Sequence, residues 1–147
     1  MVIKGESSPR LVEYSIEMQR WDYHFSYIAD PSTGDEVDEF IHLESLDFQG
    51  RLSKPRGQAG TLLKLMIACE KPSRNTGPIV ERPVIGHLDV KSKFVDAFVR
   101  LPASHVGRLA TIASAERIKF ISLFASRCVG RRALIRSVYI STANAAE

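Results

Sequence analysis

The sequence predicts a mainly β domain, read as an antiparallel two-layer β-sandwich or a partly open barrel of about 6–7 strands with one short helix at about 103–115. Three observations carry this. Apolar residues alternate with period two through most of 11–142, one segment alone changes to three- and four-residue spacing, and clusters of Gly, Pro and charged residues divide the runs. The alternative is an α+β sheet with the helix packed on one face, because residues 102–116 are long enough for a parallel crossover.

Strand character begins at Leu11. Tyr14, Ile16 and Met18 alternate on even positions, then Trp21, Tyr23, Phe25 and Tyr27 on odd ones. A phase change near Gln19 and Arg20, with no turn residue beside it, predicts one long strand with a β-bulge. The run 30–39 is acidic, with Pro31 and Gly34, and reads as a loop; its acids lack the calcium-binding spacing of an EF-hand. Residues 40–52 resume as a strand in which Ile41 and Leu43 are odd and Leu46, Phe48 and Leu52 even. After a basic loop, 61–71 forms a further strand with Cys69 as a small buried hydrophobe.

Residues 72–83, broken by Pro72, Pro78 and Pro83, are the longest loop. One extended segment is expected over 84–101, bending at Gly86 or near Lys91. Pro102 suits a helix start, Ser104 is the candidate N-cap, and Val106, Leu109, Ala110, Ile112 and Ala113 give one apolar stripe. The nearly continuous apolar run 118–124 fits a central strand. In the last strand, 134–142, Leu134, Val138 and Ile140 face one way and Ile135 and Tyr139 the other. Residues 1–10 are expected to form a flexible arm, 11–142 a single globular domain and 143–147 a flexible tail.

The chain is 147 residues long, 44% hydrophobic and 25% charged, a balance that supports a folded core rather than disorder. No apolar run reaches the roughly 20 residues of a membrane span, and the N-terminal stretch lacks a signal-peptide core. A cytoplasmic protein with no membrane partner and reduced cysteines is expected. No cofactor motif is present, and the four histidines match no metal or catalytic spacing. The charges divide unevenly. Residues 1–48 hold three basic and eleven acidic residues, and the rest hold seventeen and six. Pairing of opposite charges on neighbouring strands is the expected explanation.

Two surfaces are candidates for function. Matching apolar to apolar in a hairpin of residues 21–28 with 40–45 gathers Asp22, His24, His42 and Glu44 on one face, a set with the chemistry to bind a metal or pair an acid with a base. It places Tyr23, Phe25 and Tyr27 on the other face, as core. The second surface is the loop 125–132 with Arg127, Arg131, Arg132 and Arg136, joined by Arg74 and Arg82 if the 72–83 loop emerges at the same end. The functional expectations, in order, are three. The first is a non-enzymatic binding or assembly module, acting through a sheet face or edge on a protein partner or a second copy. Anion or nucleic-acid binding through the Arg-rich loops is second, and a metal-dependent enzyme built on the His/Glu cluster third.

Overall fold

The computed structural model describes residues 10–29, 40–69 and 84–142. The arm except Arg10, the tail, the acidic loop 30–39, and Arg74 and Arg82 lie outside the described residues. Seven strands close into a barrel, confirming the mainly β class. They are β1 (Val12–Ala29), β2 (Phe40–Lys54), β3 (Leu62–Cys69), β4 (Gly86–Val90), β5 (Phe94–Leu101), β6 (Phe120–Ala125) and β7 (Arg132–Ser141), with the helix α1 (Ala103–Ser114) between β5 and β6.

The order around the barrel is β1-β2-β3-β5-β4-β7-β6, and β6 pairs back with β1. All neighbours are antiparallel except β3 and β5. That parallel pair follows from a reversal inside the segment expected to be one strand. Lys91-Ser92-Lys93 turns the chain back, Lys91 N–H donating to Phe94 O at 2.8 Å, so 84–101 becomes the hairpin β4–β5. β4 then sits between β5 and β7. Gly86 is not a bend but a point of close approach, where a Cβ would collide with the carbonyl of Phe98.

Interior positions follow period two. Leu63, Leu65 and Ile67 of β3, Val95, Ala97 and Val99 of β5, and Ile121, Leu123 and Ala125 of β6 are buried and meet Phe48, Leu46 and Leu88. No polar or charged residue is buried among the described residues. β1 carries the expected bulge: its pairing with β2 shifts between Met18 and Arg20, so Tyr14 and Ile16 face inward before it and Trp21 after it. β7 carries a second irregularity. Phe124 pairs with Ser137 and Ala125 with Ile135, leaving Arg136 as the extra residue. The inward set is therefore Ala133 and Ile135, then Val138 and Ile140, and Leu134 faces solvent, contrary to the unbroken alternation expected.

α1 packs on β2 and β3 and covers one end of the barrel, burying Val106 and Ala113. Its N-cap is Pro102, not Ser104, and no side chain caps it. At this helix end the chain also leaves β1 and β3 and enters β2 and β4. The β2–β3, β4–β5 and β6–β7 connections stand at the opposite end. No helix among the described residues is long and apolar enough to cross a membrane.

Candidate functional site

β1 and β2 are longer than the barrel needs. β6 pairs with β1 only over Val12 to Glu17, and β3 pairs with β2 only over Ser45 to Arg51. From Arg20 onward β1 is paired with β2 alone, and its last part, Phe25 to Ala29 against Phe40 to Glu44, is a two-stranded ribbon that overhangs the barrel at the helix end. Among the described residues, β1 beyond Met18 pairs with no strand except β2. One row of backbone N–H and C=O groups thus faces outward, a template for another strand.

The ribbon's register decides which side chains meet. Tyr23 stands opposite Leu46, Phe25 opposite Glu44, Tyr27 opposite His42, and His24 opposite Ser45. Paired residues share a face, so His42 and Glu44 lie with the aromatics, whereas Asp22 and His24 lie on the other side. The expected convergence of Asp22, His24, His42 and Glu44 is therefore corrected: they form two separate pairs. The physical reason is that β2 has no phase change. The deeply buried Leu46 and Phe48 set its parity, and Leu43 is left on the outside, 44% exposed. The aromatic run is likewise not core. Trp21 packs against the interior, but Phe25 is 59% exposed and Tyr27 61%. Past the barrel rim there is no opposite wall to bury them.

On the aromatic face, the Tyr23 hydroxyl donates to Glu44 Oε2 at 2.5 Å. Loss of its proton would place a phenolate against that carboxylate, so this bond raises the phenol's pKa. His42 Nε2 lies 3.2 Å from Glu44 Oε1, shielded from solvent but without hydrogen-bond alignment, and its ring meets Phe25 at 5.3 Å. A cleft lined by Trp21, Tyr23, Glu44, Gly107, Ala110 and Thr111 separates this face from α1. Tyr23 is the member that sequence reasoning missed, having been assigned to the core. On the opposite face His24 Nε2 meets Asp47 Oδ2 at 3.1 Å. Among the described residues, no group of three or more His, Cys, Asp or Glu is placed to hold a metal ion.

The second candidate surface is at the far end of the barrel. Arg127, Arg131 and Arg132 are exposed there. Arg132 is engaged by Asp89 through Nε to Oδ1 at 2.9 Å and Nη2 to Oδ2 at 3.3 Å, and this bond and charge hold the Asp89 carboxyl below its usual range. Arg136, at the β7 irregularity, has its Nε buried without a hydrogen-bond partner and is not part of an exposed patch. Cys69 and Gly86, which bracket the segment containing Arg74 and Arg82, stand at the helix end. The expectation that this segment emerges with the 125–132 loop is thus overturned, because the extra reversal at 91–93 changes the end at which each later loop emerges. The fold and these surfaces define a closed β-barrel carrying an overhanging ribbon. No protein-family model, curated protein or solved structure matches the chain.

Proposed function

We propose that the protein is a non-enzymatic assembly module that joins a second copy of itself through the β1–β2 ribbon. The observation that supports this is the combination, on one short segment, of a single-sided hydrogen-bond ladder and exposed apolar side chains on both faces. Among the described residues β1 beyond Met18 is the longest stretch without a second strand beside it, longer than β2 before Ser45 or β7 after Ile135, and it is the one that carries the exposed aromatics Tyr23, Phe25 and Tyr27. Antiparallel pairing of this edge with its own copy, centred on Phe25, sets Tyr23 against Tyr27 and His24 against Ser26. Aromatics then face aromatics, and no like charges are opposed.

Sedimentation equilibrium at two protein concentrations tests the reading. The apparent mass rises toward that of a dimer with concentration, and Phe25→Asp keeps the protein monomeric with its melting temperature unchanged, since the side chain is mostly exposed. A strict monomer at the higher concentration rules self-assembly out.

A further inference from the structure

The three connections opposite the helix share a composition that the fold alone does not require. The β2–β3 loop carries Arg56, the β4–β5 turn is Lys91-Ser92-Lys93, and the β6–β7 loop carries Arg127 and Arg131; none contains an acidic residue. All five cations are exposed. Of the carboxylates near this end, Glu13 is matched with Lys54 at 3.5 Å and Asp89 with Arg132 at 2.9 Å, and Asp96 stands opposite Asp89 and beside Lys64 in the register. The loops lie side by side because β2, β3, β4, β5, β6 and β7 each begin or end here, and Val90 N–H donates to Arg131 O at 2.7 Å across two of them. Their charges therefore add into one positive surface.

An apolar side chain stands in the middle of this surface. Val129 is 86% exposed, flanked in sequence by Arg127 and Arg131. Its position is built rather than loose. Val129 N–H donates to Arg132 O at 2.8 Å, Gly130 takes the left-handed conformation with φ 67°, and Ser126 is tied to Leu134 by bonds of 2.9 and 3.0 Å. Leu11, 43% exposed, lies beside the same loop, since Val12 pairs with Ala125.

We infer that this end of the barrel docks on an anionic lipid surface, with the cations meeting headgroup phosphates and carboxylates and Val129 and Leu11 entering the apolar boundary beneath them. A nucleic acid would use the same cations, but an aliphatic tip adds little to phosphate contacts, and a single strand would be held in addition by aromatic stacking. The exposed aromatics stand elsewhere. Tyr23, Phe25 and Tyr27 are on the ribbon at the other end, and Tyr139 lies seven residues along β7 from Arg132, roughly 23 Å away. That no helix among the described residues is long and apolar enough to cross a membrane bears on spanning a bilayer, not on lying against one.

Flotation of the full chain with vesicles is the test, using phosphatidylcholine alone and phosphatidylcholine mixed with phosphatidylserine. The protein floats with the mixed vesicles, stays behind with phosphatidylcholine, and detaches as salt rises. The double substitution Arg127→Ala with Arg131→Ala weakens binding roughly 25-fold, and Lys91→Ala with Lys93→Ala, in a different loop, does the same, at about five-fold per charge. Val129→Ser weakens it by a further factor of about five to ten without altering net charge. Because two loops are substituted separately, a folding defect in one variant leaves the other as the test. Failure to float with the mixed vesicles at low salt overturns the inference. So does flotation indifferent to both double substitutions, or tight binding of a single-stranded oligonucleotide that does not respond to Val129→Ser in the absence of vesicle binding.

Discussion

Glu13 illustrates how one side chain couples three strands. Its carboxylate accepts from Ser15 Oγ at 2.6 Å, lies 3.4 Å from Ser122 Oγ of β6 and 3.5 Å from Lys54 Nζ of β2, and Ser15 shares a 2.8 Å hydrogen bond with Ser122. The Ser15 bond is the largest cause of a carboxyl pKa below its ordinary 4.5, and the Lys54 charge adds to it against the cost of partial burial. A depressed folded-state pKa stabilises the fold at pH above the unfolded value and loses that contribution as pH falls through the folded one. Glu13→Gln should thus lower stability by about 0.5–1 kcal/mol at neutral pH, with the difference shrinking as pH falls below the ordinary carboxyl range, as read from urea midpoints. Gly86 makes a sharper prediction. Gly86→Ala forces a methyl onto the Phe98 carbonyl and should cost about 1–3 kcal/mol in thermal unfolding, whereas Gly57→Ala, with open space around it, should change little. At this scale the sequence was informative where the signal is local. The parity flip at Gln19 announced the β1 bulge, but nothing in the sequence ties Glu13 to Ser122.

The ribbon makes its own prediction at the scale of an element. Amides of β1 between Ser15 and Glu17 lie in a strand with neighbours on both sides, but beyond Met18 every second amide points away from β2. Those outward amides should exchange with deuterium at least ~100-fold faster than the Ser15 to Glu17 set at low concentration, and slow as the concentration rises if the edge is where copies pair. Uniform protection along β1 would contradict the one-sided ladder. Strand existence and the helix were legible from periodicity, and the helix bounds of 103–115 came within a residue of Ala103–Ser114. Parity in β2 was not, because Leu43 looks like a core residue to any pattern that ignores where the barrel stops. The sequence carries the phase of a strand but not the length over which a second wall covers it.

Across the whole molecule few of the opposite charges meet across strands, and the described loops at one end are basic without an acid among them. Glu13 with Lys54 and Asp89 with Arg132 are the carboxylate pairs with Lys or Arg among the described residues. The three loops opposite the helix carry Arg56, Lys91, Lys93, Arg127 and Arg131 and no acid, whereas basic and acidic residues are mixed at the helix end, with Arg108, Glu116, Arg117 and Lys119 in and after α1. The imbalance between halves was visible from composition. Its direction in space was not, because each uncounted strand reverses the end at which every later loop emerges, and the turn at 91–93 was one such strand.

The β1–β6 seam also has a consequence in time. It joins groups such as Ser15 and Ser122 that are 107 positions apart, whereas β1–β2, β2–β3, β4–β5 and β6–β7 unite neighbours in the chain. Ring closure between such distant partners carries the largest loop entropy and makes seam formation the slow folding step. Until β6 and β7 have been synthesised, the edge of β1 from Val12 to Glu17 is as open as the ribbon beyond it, and the growing chain presents one long adhesive strand to its neighbours.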